Sequence, residues 1–478
     1  VGALGDGRDR ASEAPRAARP QAAPTRSKGG PLSELLELAT RVAGWARPGE
    51  EVEAYVSRGT ETQVKAYQGE VESISSATSA GVGIRVVTAG RQGFAYTGSL
   101  QLRDVEDALG QARDNAAFAT PEAWVGLPSP DGLAPAPLDL WREDLARLPM
   151  AKKVEAALRL ERETRSRDRR VRKVESATWF DEAREMALAS SLGMQSEERA
   201  TACGLSVAAV AGEGAESQVG SGYTVGRSPG ELVAERASGD AVTRAVRLLG
   251  ARKPPSARLP VIFEPRVAAT FFSLVASALS GQRVLKGVSL FAGRLGEAVA
   301  SPRLTLYDDP TDPAAWGASA FDDEGLVCRR NVLIGAGVLE QFLYDTASAR
   351  RAGAKPTASA VRGGYGSPPG VGFFAVCALP GDKSPEEVLA QVGTGLYVQS
   401  VSGTHSGVNL VSGDFSVGAE GLMVRRGELA EPVREVTIAS SIQRMLQEVV
   451  AVGNDLERLP SRAAGLSLAI SEMSMSGA

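Results

Sequence analysis

Histidine is almost missing: His405 is the only one in 478 residues. That excludes HExxH zinc sites, other two-histidine metal sites and any histidine cluster, each of which needs at least two imidazoles. Cysteine is scarce as well. Cys203, Cys328 and Cys377 are odd in number and far apart. Neither a disulfide framework nor a CxxC metal site follows, and a reducing, cytoplasmic setting is expected. No apolar run reaches the ~18 residues that cross a bilayer, and no charged segment followed by an apolar one marks a secretory signal. An excess of positive charge is also lacking, since 53 Lys+Arg against 57 Asp+Glu leaves −4. Direct binding to nucleic acid or to an anionic membrane needs a basic field, so neither is expected. The short glycine pairs at Gly335–Gly337, Gly363–Gly364 and Gly393–Gly395 do not read as GxGxxG or GxxxxGK[ST], so nucleotide binding is not supported.

What is present is an ordinary globular composition, 43% hydrophobic and 23% charged, in a chain long enough for several domains. Glycine, 53 residues, points to many turns and to antiparallel β-structure. Residues 1–30 are rich in Ala, Pro, Arg and Gly without hydrophobic period and read as a disordered tail. Helical spacing begins at Leu32, Leu35, Leu36 and Val42. Strand-like segments follow at 51–58, 63–68, 71–77, 81–88 and 91–96, then a helix at 102–118 and a proline-rich stretch over 119–150. A charged helix at 150–168, strands at 172–179, 185–191 and 203–211, a Gly/Ser-rich stretch at 213–225 and a helix at 229–249 repeat that plan. Residues 31–250 therefore divide into sub-domains at about 31–120 and 145–250. The cations and prolines of 251–260 read as a linker. Residues 256–478 follow, with a buried helix at 268–279, many short strands, and helices near 385–393 and 437–451. The expected fold class is α+β: a two-part α/β N-terminal region, then a β-rich, antiparallel sheet- or barrel-like C-terminal domain with packed helices.

Few residues could carry chemistry. The carboxylates Asp308–Asp309 and Asp322–Asp323–Glu324 lack the alternate spacing of a calcium loop, so turn and cap duty is expected. Cys377 sits in an apolar strand, FFAVCAL, where a buried, inert thiol is expected. The most concentrated polar segment is Gly403-Thr404-His405-Ser406-Gly407, with Asn409, Ser412 and Asp414 close behind. A lone imidazole beside hydroxyls and a carboxylate could form a Ser/His/Asp set, but no GxSxG elbow presents a serine. Loop duty, satisfying its own backbone or contacting a peptide, is the favoured reading. A metal-independent hydrolase using His405 is the alternative.

Ala320–Leu343 (AFDDEGLVCRRNVLIGAGVLEQFL), Ala347–Arg351, Val401–Glu420, Val452–Asp455 and the earlier GVGIRVV…GRQGFAYT resemble the TldD/PmbA family, which carries the label "modulator of DNA gyrase". The resemblance covers about residues 32–475. It implies a metallopeptidase relative in which the TldD branch holds zinc with a HExxxH helix and a distal cysteine. Phe272, Ser273 and Ser277 stand at those helix positions here, and Ala463–Gly465 at the cysteine. Phe cannot ligate a metal, and Ser273 cannot be the base that activates bound water. The chain thus resembles the TldE/PmbA branch. The resemblance implies no zinc and no catalytic residue in this chain, zinc only in a TldD-like partner, and a heterodimer with that partner or a homodimer. It also implies a peptide substrate received as an added strand, for which Val398–Val411 is the expected edge. A stand-alone homodimeric peptide-binding protein of the same fold is the other reading.

Overall fold

The computed structural model describes residues 33–477; the expected tail over 1–30 lies outside them. Strands β1 (Glu50–Tyr67), β2 (Glu70–Thr88), β3 (Arg91–Thr97), β4 (Val171–Ser190), β5 (Gln195–Ala211) and β6 (Gln218–Gly226) form one antiparallel sheet in the order β3-β2-β1-β4-β5-β6. Both helix–strands–helix units therefore share a continuous sheet, joined along β1 and β4 from Glu53↔Ser190 to Ala66↔Ala177.

Three long strands, β1, β2 and β4, replace six expected short ones. The gaps expected at 59–62 and 78–80 are strand: Gly59 faces Ser79 and Gly81 faces Ser57 within an unbroken ladder. Glycine serves close approach here, not turning: a methyl on Gly81 would lie 2.4 Å from the Tyr365 ring. The same logic explains β6, a strand in the Gly/Ser-rich stretch where none was expected.

One face of the sheet is covered by helices. Helices α1 (Glu34–Ala43) and α2 (Leu102–Phe118) bury Leu36, Val42 and Leu109 on Val52, Val82 and Ile84. Helices α3 (Met150–Arg167) and α4 (Ala234–Val246) bury Leu160 and Ala241 on Val174, Trp179 and Leu205. In β3 a methyl on Gly93 would lie 1.9 Å from the Ala112 carbonyl oxygen of α2. In β6 a methyl on Gly222 would lie 1.9 Å from the Ala237 carbonyl oxygen of α4.

The C-terminal half contains a closed barrel. Strands β7 (Ala257–Phe263), β8 (Gly395–Ser402), β9 (Asp414–Arg425), β10 (Glu428–Ser441), β11 (Val449–Val452) and β12 (Leu468–Ser476) run in the order β10-β9-β8-β7-β12-β11. Pairing of Thr437–Ala439 with Ser474–Ser476 closes β10 onto β12. The β7–β8 contact is parallel and the others are antiparallel. The helix expected over 437–451 is shorter, Ile442–Gln447. The preceding Val436 and Ile438 alternate with polar residues, which is strand periodicity, and the Ser441 hydroxyl accepts from the Arg444 N–H to start the helix. Helix α5 (Pro265–Ala278) joins the barrel core through Phe271, Phe272 and Val275, with Phe263 and Phe415 among their neighbours. Among the described residues no helix is long and apolar enough to cross a membrane.

Candidate functional site

Alternation along β1 and β2 decides what faces the C-terminal half. Val52, Ala54, Val82 and Ile84 point to the helices, so Glu53, Tyr55, Gly83 and Arg85 point the other way. Glu53 and Arg85 are buried there against residues more than 200 positions away. Arg85 donates to Glu53 through Nε at 2.8 Å and to Glu324 through Nη1 at 2.9 Å. Arg362 donates through Nη2 to Glu53 and through Nε to the Asp323 carbonyl oxygen at 3.0 Å. The second Glu324 oxygen accepts from the Thr346 N–H at 2.9 Å. Two carboxylates and two guanidiniums thus neutralise one another with almost no water contact. Burial raises the Glu53 pKa, but the two arginines outweigh it and hold the carboxyl below its ordinary value.

Beside this network lies a cavity of about 710 Å³ between the sheet and the C-terminal half. Tyr96 and Arg184 line it on the sheet side, and Trp316, Arg362, Phe374 and Arg462 on the other.

The helix singled out from sequence, α5, carries Phe272 fully buried in the core. The Ser273 and Ser277 hydroxyls donate back to the Ala269 and Ser273 carbonyls of the same helix, at 3.0 and 2.8 Å. The structure does bring the late segment to this helix: Ala463 packs with Ala269 and Leu459, and Gly465 lies against Pro265. Neither element offers a thiol, imidazole or carboxylate at that meeting point. Among the described residues no group of three or more His, Cys, Asp or Glu could hold a metal ion. Zinc does not fit these residues.

The 403–414 loop is exposed. Gly403, at φ 75°, starts a short turn over Thr404–Gly407, and the Ser406 hydroxyl donates to the Gly403 carbonyl. Asn409 Oδ1 accepts from the Val411 and Ser412 N–H groups, and the Ser412 hydroxyl donates to Asp414 at 2.6 Å. His405 is exposed and makes no hydrogen bond to Ser406, Ser412 or Asp414. The Ser412–Asp414 contact shapes a turn.

The expected strand edge is only partly open. Leu396–Val398 is paired on both sides, with β7 and β9, and Ser400–Ser402 on one side only. A longer edge was missed because β2 was read as two pieces. β3 covers β2 only from Val82 to Thr88, so residues 70–80 pair with β1 alone. This stretch is exposed, including Val71 and Ile74.

Of the remaining carboxylates, Asp322 has the turn duty expected of it, whereas Asp308 ends a buried strand, Leu306–Asp308, and ties down a distant segment instead of a turn. Asp322 accepts from the Glu324, Leu326 and Ala360 N–H groups. Asp308 accepts from Ala375 N–H at 2.6 Å and from Phe374 N–H. Burial pushes the Asp308 carboxyl up to about 6, against the pull of those N–H donors. The folded state therefore holds the Asp308 proton more tightly than the unfolded chain. That stabilisation is complete below pH ~4 and is lost as pH rises through 6. Asp308→Asn keeps an acceptor and cannot ionise. Urea unfolding from pH 4 to 7.5 should show stability relative to wild type improving with pH, by roughly 3 kcal/mol in all. Parallel pH profiles would contradict this. All three cysteines are free and buried, and burial pushes the Cys377 thiol up to about 11, so none is poised as a nucleophile.

Three sequence profiles described as PmbA/TldA metallopeptidase domain 1, central domain and C-terminal domain match residues 52–116, 143–249 and 256–477. A metalloprotease PmbA from Escherichia coli is 29% identical over 449 residues, covering 93% of this chain and 96% of that one. A solved structure of a proposed modulator of a DNA gyrase from Thermotoga maritima superposes with TM-score 0.85 at 26% identity, covering 92% and 99% of the two chains. TldE from Thermococcus kodakarensis shares the fold, with TM-score 0.82 at 24% identity over 89% and 97%.

Proposed function

Because the chain belongs to the PmbA/TldD metallopeptidase family, we propose that it is a metal-free, TldE/PmbA-like subunit of a peptidase complex. Its partner is a zinc-carrying TldD-type chain, and the complex acts on unfolded or modified peptides. One observation carries this reading. α5 and the Ala463–Gly465 segment meet at Pro265 and Ala269, yet the same helix carries only a buried Phe272 and two serines bonded to their own helix where ligands would be needed. Water activation by a bound metal has neither ligand nor base there. What this chain adds is a cavity wall with aromatic and charged groups, and exposed strand edges for main-chain pairing.

Metal content and peptide cleavage of the purified chain, alone and mixed with a TldD-type subunit, test this. The expected result is no zinc and no cleavage alone, and cleavage in the mixture only. Chelator-insensitive cleavage by the chain alone would overturn it. His405→Ala should leave cleavage by the mixture within twofold of wild type, because no hydroxyl or carboxylate engages that imidazole. A loss of a hundredfold or more would revive the hydrolase alternative.

The open edge of β2 over residues 70–80 favours a second reading, a stand-alone homodimeric peptide-binding protein. Main-chain pairing along an edge needs no metal. A chain that stays dimeric, binds peptide and ignores a TldD-type subunit would decide for it.

A further inference from the structure

The cavity carries charged side chains that make no hydrogen bond or close ion pair with the described residues. On its sheet wall Glu61 of β1 lies directly opposite Glu182 of β4. Like charges so placed repel, and neither side chain forms an ion pair or hydrogen bond with the described residues. Two positions along β4, on the same face, is Arg184. Its guanidinium makes no hydrogen bond or ion pair with the described residues either. Its cross-strand neighbours are Gly59 and Ala200, too small to cover it. The carboxylates whose charge it feels are Glu182, Glu198 and Asp323, of which Glu198 and Asp323 are held by the Ala320 and Arg362 N–H groups. Arg362 stands on the opposite wall, and its buried Nη1 has no hydrogen-bond partner. An acidic pair thus shares its wall with one guanidinium that has unused donors and faces a second from across the cavity. Residues i and i+2 on a strand are about 6.6 Å apart, the span of an extended dipeptide, and Arg and Glu side chains are long enough to reach the ~10 Å of a tripeptide.

We infer that the cavity binds a short peptide with both ends free, its carboxylate on Arg184 and its ammonium between Glu61 and Glu182. This rests on the reading of the chain as a peptide-handling subunit and names the ligand class: small zwitterionic peptides, which peptide-bond hydrolysis releases. Bidentate guanidinium–carboxylate pairing suits the first end, and paired carboxylates suit the second.

Calorimetric titration of the full chain with trialanine, N-acetyl-trialanine and trialanine amide tests this. Trialanine should bind, and blocking either end should weaken it at least tenfold. Arg184→Gln should abolish the penalty for the amide, and Glu182→Gln the penalty for acetylation. Glu61→Gln replaces Glu182→Gln if the latter does not fold. Equal binding of all three peptides, end preferences that survive the substitutions, or no binding at all would overturn the inference. Cleavage by the mixture with a TldD-type subunit is scored separately. Cleavage there without trialanine binding sinks only this inference, whereas trialanine binding without cleavage sinks only the subunit reading.

Discussion

Arg85→Leu should lower the unfolding free energy by about 3–5 kcal/mol, the usual cost of removing one partner of a buried ion pair. Arg85 is 4% exposed and touches both halves of the molecule, Glu53 in β1 and Glu324 in the C-terminal half. Leucine would leave Glu324 buried with no cation and Glu53 with Arg362 alone. The penalty comes from those orphaned charges, not from the lost attraction, so a second change should recover part of it. Arg85→Leu combined with Glu324→Gln should cost clearly less than the sum of the two single changes. Urea unfolding with m-values measures both. Because a domain is stable by only about 5–15 kcal/mol, the single variant should unfold at a much lower midpoint. A cost under 1 kcal/mol, or strict additivity, would show that this network does not hold the halves together.

Gly465→Ala should cost roughly 2–3 kcal/mol, the range for overpacking a site whose neighbours cannot move. The new methyl would lie 1.7 Å from the Pro265 carbonyl oxygen and 2.9 Å from the Ala269 nitrogen, both backbone atoms of α5. Either the 463–465 segment lifts from the helix or the helix start shifts. Gly110→Ala in α2 is the control: nothing lies within 4 Å of its added methyl, and alanine is the better helix former. That variant should gain about 0.5–1 kcal/mol. Equal effects at the two positions would contradict the close docking of the late segment on α5, on which the proposed function depends.

Much of the fold is legible in the residues. The 3.6-residue spacing of Leu35, Leu36 and Val42 and of Val105, Leu109 and Ala112 specifies α1 and α2, because only one face can be buried. Alternation in GVGIRVV specifies β2. Some of the errors share a cause. Gly59, Gly220 and Gly222 fell in stretches read as breaks or loops, since glycine usually marks turns. Here they admit a neighbouring backbone, and nothing local to the sequence says which neighbour will come. The open β2 edge was missed because Thr78-Ser79-Ala80 was read as a gap between two strands. A 19-residue strand beside a 7-residue one leaves an edge, but only if the strand is continuous.

The candidate site divides along the same line. Sequence by itself determined what cannot happen: one histidine and scattered cysteines exclude histidine-based metal chemistry whatever the fold, because ligand type is a property of the side chain. The resemblance to the family, and not composition, is what implies that Phe272, Ser273 and Ser277 stand where ligands would be needed. Only the tertiary structure decided that Ala463–Gly465 meets α5, that His405 stands apart from Ser412 and Asp414, and that Glu61, Glu182 and Arg184 share one cavity wall. Those facts depend on strand register and on domain closure, where a one-residue slip turns every side chain to the opposite face. Long-range pairing of that kind is set by the packing of the whole chain and leaves no local mark in it.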